Sequence, residues 1–181
     1  MRDEPPIRRH ASRVVYENRW MTVREDDVMR ADGSTGIFGV VEKPDFALVI
    51  PFDGVGFYTV EQYRYPVGGR FVEFPQGSYE ESPGVDPVEL ARGELAEETG
   101  LRAGSMEHLG YLFEAYGYST QGFHVFLATD LEHGEQALSA EEADLRIAYL
   151  TVAEFREAVL GGRIKDAPTI AAFALLQLRS A

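Results

Sequence analysis

Short alternations of apolar and polar residues dominate the first third of the chain and predict β-strands there. The most apolar stretch, residues 46–50, lies between turn signals that contain Pro44 and Pro51, so it predicts a buried strand that leads into a hairpin. Another turn signal lies at residues 31–34. The strand-like stretches in this part of the chain are residues 20–24, 37–41, 46–50, 56–63 and 70–74.

Helix signals replace this alternation at Asp86. The side chain of Asp86 is of a type that accepts hydrogen bonds at a helix N-cap, and Pro87 suits the first helical position. Glu89 occupies the place from which a capping-box carboxylate reaches back, and Gly100 fits the left-handed position just past a helix end. These signals predict a helix over Pro87–Thr99.

The rest of the chain is predicted to contain further strands and two final helices. Strand-like stretches lie at residues 109–113, 123–128 and 145–150. One helix begins after Thr151, where Glu154 completes a second capping box, and the other begins near Asp166. Strands, a central helix, more strands and final helices together predict an α+β fold, or a sandwich with helices on both faces of a sheet.

Composition and charge narrow the functional classes. The 181 residues, 45% of them hydrophobic, suit one compact domain with a sizeable core. The net charge of -13 argues against nucleic acid as a partner, because such binding depends on basic side chains. The absence of cysteine excludes disulfides, thiolate metal sites and cysteine nucleophiles. Since no apolar run opens the chain and none approaches about 20 residues, we expect a cytoplasmic protein without a membrane partner.

Three glutamates of the central helix, Glu94, Glu97 and Glu98, are spaced so that they share one edge of it. Like charges at this spacing repel by a few tenths of a kcal/mol per pair, and the helix dipole disfavours anions near the C-terminal end. A divalent cation bound through oxygen ligands would offset both effects, and Mg²⁺ commonly lies between carboxylates and phosphates. Taken alone, such a pattern is more often a solvated helix face, so the surrounding sequence has to decide.

The sequence around this helix resembles the Nudix box. Residues 73–77 provide a Glu-Phe-Pro-Gln-Gly loop, and residues 86–101 provide the helix. The second half of the motif is Arg-Glu, an apolar residue, any residue, Glu-Glu, any residue, Gly and an apolar residue. It is matched by Glu94-Leu95, Glu97-Glu98, Gly100 and Leu101. The resemblance implies a Nudix-type α/β/α sandwich with a mixed central sheet and an N-terminal strand region.

Two motif positions differ from the family pattern, and the loop before the helix is longer. Gly93 stands at the motif arginine position, beside Arg92, and Val85 stands at the position of the first glutamate. In the family these residues support the site and do not bind the main metals. Their replacement predicts either a rebuilt support, with Arg92 beside Glu80 or Glu81, or reduced activity, because losses around metal ligands commonly cost about tenfold or more.

Matched by position, the resemblance implies a Mg²⁺ site, with Mn²⁺ as a substitute. Glu94 and Glu98 are the expected main ligands, and Glu97 is expected to contribute directly or through water. The backbone carbonyl of Gln76 is a further expected ligand. Glu97 and Glu98 are accordingly also the expected catalytic residues of the helix.

The general base of the family is expected in the acidic loop before Asp144. Matched from Asp144-Leu145-Arg146, the base falls on Glu141, with Glu142 next in line. Such a carboxylate would deprotonate a water once substrate is present. An acidic loop that contains glycine is otherwise more often solvated than catalytic.

Two further stretches resemble the ADP-ribose pyrophosphatase branch of the family: a strand with the sequence Gln-Tyr-Arg and the terminal helix signature at residues 162–170. Arg64 of that strand and Glu73 are expected to bind substrate, Arg64 at a phosphate because its planar fork matches phosphate geometry. A surface position is the alternative for Arg64. Tyr116 and Tyr118 are expected to stack on a base or sugar, with packing as the alternative.

These resemblances predict Mg²⁺-dependent hydrolysis of the diphosphate bond of a nucleoside diphosphate derivative. ADP-ribose, which would give AMP and ribose 5-phosphate, is the first candidate. GDP-mannose, other nucleotide sugars and dinucleoside polyphosphates stay open, because residues 114–122 lack the proline turn usual in that branch. The alternative is a catalytically weak or inactive Nudix-like domain that serves as a nucleotide-binding sensor, which Gly93 and Val85 favour. An acidic interaction module is a third interpretation.

The resemblance also suggests how the chain is organised. Residues 1–42 are expected to form an N-terminal strand extension that builds a homodimer, and residues 43–181 are expected to form the hydrolase domain. Whether Arg64 serves its own subunit or the neighbouring one stays open.

Overall fold

The computed structural model describes residues 5–78, 84–138 and 143–179. In these ranges the strands are β1 (Ile7–Glu17), β2 (Thr22–Arg30), β3 (Thr35–Glu42), β4 (Phe46–Pro51), β5 (Gly56–Arg64), β6 (Gly69–Glu73), β7 (Gln76–Gly77), β8 (Leu101–Phe113), β9 (Gly122–His133) and β10 (Arg146–Thr151). The helices are α1 (Pro87–Thr99), α2 (Val152–Leu160) and α3 (Ala167–Arg179). None of the described helices is both long and apolar enough to cross a membrane.

The described chain divides into two compact units. The first contains the residues up to Asp45 together with Phe113–Gly122, and the second contains Phe46–Leu112 and the residues from Phe123 onward. In the first unit β1, β2 and β3 form an antiparallel sheet in that order. All 11 residues of β1 are exposed, so backbone pairing with β2, more than burial, stabilises this strand.

The second unit contains two sheets. One is mixed, in the order β7-β4-β9-β8, with β4 parallel to β9 and antiparallel to β7. The other is antiparallel, in the order β10-β5-β6. The side chains of β4 alternate between two buried clusters: Leu48 and Ile50 share one with α2 and α3, and Ala47 and Val49 share the other with α1.

Helices therefore cover both faces of the mixed sheet, which explains why β4 is apolar at every position. The predicted α/β/α layering is confirmed. One cluster contains Phe57 of β5, which is 1% exposed. Its ring centroid lies 5.6 Å from that of Phe74 and 5.2 Å from that of Phe155. These edge-on contacts join the antiparallel sheet to α2.

The helix ends follow the local signals in the sequence. The Asp86 side chain accepts a hydrogen bond from the Val88 amide at 3.0 Å, and Gly100 adopts a left-handed φ of 70°. Thr151 and Glu154 form the predicted capping box of α2. The reciprocal bond predicted for Glu89 is not part of the α1 cap among the described residues, and Glu89 is exposed.

The observed strand bounds differ from the predicted ones where the strands are exposed, because exposed residues need not follow an apolar pattern. The sequence predicts an N-terminal strand region but gives no bounds for β1, because all residues of this strand are exposed and mark no buried face. β8 begins at Leu101, whereas the sequence predicts a strand only from residue 109. The first half of β8 is largely exposed and polar, so it has no apolar pattern that would mark it as a strand. β9 likewise continues past residue 128 to His133. Pairing with neighbouring strands, which is not visible in the local pattern, extends both.

Candidate active site

The glutamate edge of α1 faces into the protein. Glu94 is 7% exposed and Glu98 is 1% exposed, while Glu97 is half-buried. The apolar side of α1 packs on β4, and the adjacent glutamate edge contacts β7. Two buried carboxylates are unlike a solvated helix face, since the burial of an ionised group is costly unless other groups compensate for it. The glutamate edge of α1 is therefore part of the protein interior and not a solvated surface.

β7 contacts this edge through its backbone. The backbone amide of Gln76 donates to Oε2 of Glu98 at 3.2 Å. A Cβ atom added to Gly77 would lie 2.5 Å from Oε2 of Glu94 and 2.6 Å from its Cδ. Only glycine permits this approach without displacing the carboxylate. The loop and the helix of the sequence motif thus meet in space at these two pairs of residues.

The groups at this edge suit a hard divalent cation, because the available donors are carboxylate and backbone oxygens. Gly77 leaves the Glu94 carboxylate in the space that a side chain would otherwise occupy. Within the described ranges, no three His, Cys, Asp or Glu side chains form a cluster that could hold a metal by themselves. Mg²⁺ usually binds through one or two carboxylates together with water and substrate phosphates, so such a cluster is not required.

Arg64 and Glu73 form an ion pair at the ends of β5 and β6. Nε of Arg64 donates to Oε2 of Glu73 at 3.2 Å, Nη2 donates to Oε1, and Nε2 of Gln62 donates to Oε1 at 2.7 Å. Glu73 is 2% exposed, whereas the Arg64 side chain is 41% exposed. The buried carboxylate thus orients the guanidinium of a side chain that is itself partly exposed.

The charges around this pair alter both pKa values. Burial raises the pKa of Glu73, and the opposing effect of Arg64 does not cancel it. Burial lowers the pKa of Arg64, but the negative charges of Glu73, Asp166 and Glu98 outweigh burial, so its pKa is raised. Arg64 is therefore paired with Glu73, and the negative charges of Asp166 and Glu98 further favour its charged form.

Asp166 contacts the site, whereas the sequence pattern placed it only near the start of the final helix and within the terminal helix signature. Its Oδ2 accepts a hydrogen bond from Nε2 of Gln76 at 3.2 Å as well as one from the Thr169 amide at 2.8 Å. It thereby connects the start of α3 to β7. The sequence signal for a role of Asp166 beyond the helix start was its place inside the terminal helix signature.

The C-terminal end of α1 is covered by the segment that follows β9. The amide of Gly134 donates to the carbonyl of Gly100 at 2.7 Å, Nε2 of Gln136 donates to the carbonyl of Glu98 at 2.5 Å, and the Ala137 amide donates to the carbonyl of Glu97 at 3.1 Å. These bonds satisfy carbonyls that the helix itself leaves without partners.

Further along, Asp144 is bound by Arg70 of β6, whose Nη1 lies 2.5 Å from Oδ2 and whose Nη2 donates to the backbone carbonyl at 2.8 Å. Glu141 and Glu142, the predicted general bases, lie outside the described residues, so their role stays a prediction.

The remaining predicted residues are placed as follows. Tyr116 and Tyr118 belong to the first unit and are 85% and 61% exposed, so their rings are not buried in a core. Arg92 donates from Nη1 to the Ala103 carbonyl of β8 at 2.8 Å. Its suggested partnership with Glu80 or Glu81 stays untested, because both glutamates lie outside the described residues.

Two family models match the chain. The NUDIX domain matches residues 43–173, and the nucleoside diphosphate sugar hydrolase N-terminal domain matches residues 7–41. The chain is 32% identical to the ADP-ribose pyrophosphatase of Mycobacterium tuberculosis over 89% of its own length and 78% of that protein. It is 31% identical to the methanol dehydrogenase activator of Bacillus methanolicus, over 92% of this chain and 90% of that protein.

Two further comparisons support the branch and the fold. The ADP-ribose pyrophosphatase of Bacillus subtilis is 27% identical over 94% of this chain and 92% of its own length. A crystal structure described as an ADP compounds hydrolase superimposes with a TM-score of 0.85 at 19% identity, covering 98% of this chain and 95% of that one. The latter likeness shows the fold.

The layered fold and the buried glutamate edge define a hydrolase domain of the Nudix type. The chain belongs to the Nudix family, in its ADP-ribose pyrophosphatase branch, and is a Nudix pyrophosphohydrolase. Enzymes of this family hydrolyse diphosphate bonds of small molecules and generally use divalent metal ions. The family and the branch predicted from the sequence are confirmed.

Proposed function

We propose that the protein hydrolyses the diphosphate bond of a nucleoside diphosphate sugar in a Mg²⁺-dependent reaction, with ADP-ribose as the first candidate substrate. The products from ADP-ribose would be AMP and ribose 5-phosphate. Two relatives named ADP-ribose pyrophosphatase support this choice of substrate. The observation that carries the reaction type is the pair of buried carboxylates, Glu94 and Glu98, against the side-chain-free surface of Gly77.

In this proposal Glu94 and Glu98 would hold the cation, with Glu97 and the carbonyl of Gln76 as further ligands. Such an ion supplies positive charge that offsets the diphosphate and makes an attacking water more acidic. The amide of Gln76 orients the Glu98 carboxylate through their 3.2 Å hydrogen bond. A proton from the attacking water would pass to Glu141 or Glu142.

Arg64 is proposed to bind a substrate phosphate through its guanidinium. Its side chain is 41% exposed while one side is held by Glu73, so the group is oriented before substrate arrives. A planar guanidinium suits two phosphate oxygens at once. In this view Glu73 acts by orienting Arg64. Tyr116 and Tyr118 stay proposed contacts for the base or sugar.

The decisive experiment compares two glutamates of the same helix. Glu98→Gln removes a buried carboxylate of the proposed metal site, whereas Glu89→Gln makes the same chemical change at an exposed position of the first turn. We expect Glu98→Gln to lower the rate of AMP release from ADP-ribose by more than about 100-fold, since losing a group that only supports a ligand already costs about 10–100-fold. Glu89→Gln should retain the wild-type rate. Equal rates for both variants would contradict the assignment.

The substrate is settled by a panel. ADP-ribose, GDP-mannose, other nucleotide sugars and dinucleoside polyphosphates are each incubated with Mg²⁺ or Mn²⁺, and the products are identified by mass. The highest kcat/KM is expected for ADP-ribose with Mg²⁺. A clear preference for another compound would replace ADP-ribose while leaving the diphosphate chemistry in place.

A second candidate function is regulation of another enzyme by a catalytically weak domain. Gly93 and Val85 stand where the family has an arginine and a glutamate, and one relative is named an activator of methanol dehydrogenase. This candidate predicts that the protein binds ADP-ribose but releases no product from any compound of the panel.

We further propose that the chain forms a homodimer through residues 1–42, with residues 43–181 as the hydrolase domain. Supporting this, β1 is exposed along its whole length, and Val14 and Val15 are 58% and 53% exposed. Sedimentation of the full chain should give the mass of two copies. A variant without residues 1–17 should sediment as a monomer. The cytoplasmic location expected from the sequence stays a prediction.

A further inference from the structure

The start of α3 carries a carboxylate that the reaction proposed above does not use. Asp166 precedes the helix and is half-buried, and it is not one of the residues that would hold a cation or contact substrate. We propose that Asp166 is a positioning residue of the hydrolase, which through the Gln76 side chain holds the β6–β7 connection in register with the glutamate edge of α1. The inference rests on the proposed function of that edge.

One oxygen atom of Asp166 makes both of the contacts that matter. Oδ2 accepts the Thr169 amide at 2.8 Å, as a helix cap does, and accepts Nε2 of Gln76 at 3.2 Å. The first bond fixes the carboxylate to α3, and the second fixes Gln76 to the carboxylate. The backbone amide of the same glutamine donates to Glu98. Asp166 therefore lies one residue away from a buried carboxylate of the site.

The neighbouring bonds show that this connection is held at successive residues. The amide of Phe74 donates to Oγ1 of Thr169 at 3.0 Å, and Thr169 is fully buried. The Val49 amide of β4 donates to the carbonyl of Pro75 at 2.9 Å. Strand pairing with β4 holds the backbone of Gln76, and Asp166 adds a hydrogen bond to its side chain just before Gly77.

Charge provides a second link between Asp166 and the site. The negative charge of Asp166 raises the pKa values of both Arg64 and Glu73, and that of Glu98 also raises the pKa of Arg64. A substitution must therefore separate the hydrogen bond from the charge. Asp166→Asn removes the charge but keeps an oxygen that can accept both bonds. Asp166→Ser keeps a helix cap but is too short to contact Gln76.

The test uses these two variants, Gln76→Met, and the double variant Asp166→Ser with Gln76→Met. The measurements are kcat and KM for ADP-ribose, the Mn²⁺ dissociation constant without substrate by titration calorimetry, and Tm. We expect Asp166→Ser and Gln76→Met each to lower kcat and weaken Mn²⁺ binding by about 10–100-fold. The double variant should lose no more kcat or Mn²⁺ affinity than the more impaired of the two single variants, because both changes remove the same contact. Asp166→Asn should remain within about threefold of wild type.

Thr151→Ala is the matched control, because it removes the N-cap of the adjacent helix α2 without touching the site. It should lower Tm while leaving kcat and Mn²⁺ binding unchanged. If Asp166→Ser behaves like Thr151→Ala, or if the losses of the two single variants simply add, Asp166 is a structural cap only and the inference is overturned.

The outcome also distinguishes this inference from the proposed function. A wild-type protein that binds Mn²⁺ but hydrolyses nothing would refute the hydrolase proposal, while a weaker Mn²⁺ affinity of Asp166→Ser would still support the positioning role. An active wild type with an unchanged Asp166→Ser variant would refute the positioning role alone. Absence of both activity and Mn²⁺ binding in the wild type would refute both.

Discussion

Gly77→Ala is the substitution that tests the geometry of the site most directly. The new Cβ would lie 2.5 Å from Oε2, 2.6 Å from Oε1 and 2.6 Å from Cδ of Glu94. An ordinary van der Waals contact begins at 3.4 Å, so the carboxylate has to move by roughly 1 Å. The atoms that must move are the end of a flexible side chain, which limits the cost in stability to about 1–3 kcal/mol, as for other overpacked positions.

The cost in activity should be much larger than the cost in stability. A misplacement of about 1 Å at a reacting centre lowers rates by about 100-fold. We therefore expect kcat for ADP-ribose to fall by about two orders of magnitude, and the Mg²⁺ concentration for half-maximal rate to rise, while the protein stays folded at assay temperature. Steady-state kinetics over a Mg²⁺ series, with urea unfolding of the same samples, measures both effects.

Gly39→Ala is the control for glycine replacement itself. Gly39 lies in β3, its φ is not in the left-handed region, and an added Cβ would meet nothing within 4 Å. This variant should keep wild-type kinetics. A Gly77→Ala protein with wild-type kcat and the same Mg²⁺ dependence would refute the reasoning, because it would mean that the position of the Glu94 carboxylate does not matter for the reaction.

Two predictions concern stability. Burial raises the pKa of Glu73 above its ordinary value of 4.5, so its stabilising contribution is present below pH 4.5 and is lost as pH rises through the folded-state pKa. The unfolding free energy of Glu73→Gln relative to wild type, measured in urea, should therefore increase with pH above 4.5, and a decrease would contradict the buried-carboxylate explanation. Phe57→Ala should lower the unfolding free energy by about 3–5 kcal/mol, because it opens a cavity among Phe74, Phe155 and their neighbours. Val55→Ala, at a 64% exposed position, should change the unfolding free energy by less than about 0.5 kcal/mol. Equal losses of unfolding free energy in Phe57→Ala and Val55→Ala would refute the core described for β5.

The position of Arg64 shows how a family resemblance and a structure complement each other. The sequence placed Arg64 near substrate phosphate through the Gln-Tyr-Arg resemblance, and that assignment stays a prediction. The structure adds that Glu73 and Asp166 surround it with negative charge. Without a bound cation, an anionic substrate would approach an edge where carboxylates outnumber this arginine. Binding of substrate and of a divalent ion should therefore be coupled, which fits the metal dependence of the family.

Elements specified by neighbouring residues could be predicted from the sequence. The cap at Asp86, the left-handed Gly100 and the capping box of Thr151 and Glu154 each depend on contacts within a few residues, so their signals are complete in the sequence. The buried strand β4 could be predicted because its apolar residues are continuous. Family resemblance supplied the identity of the helix glutamates, which spacing alone would have left as a solvated face.

The tertiary structure alone decided which side of α1 is buried and what it meets there. Glutamates carry no apolar signal, so only β7 packing beside α1 shows that Glu94 and Glu98 are buried and that Gly77 leaves room for Glu94. The contact between Asp166 and Gln76 joins residues that are far apart in the chain, and no local pattern records such a pair. Short-range hydrogen bonds and apolar periodicity are written along the sequence. Burial of a polar group depends on partners that only the folded chain brings together.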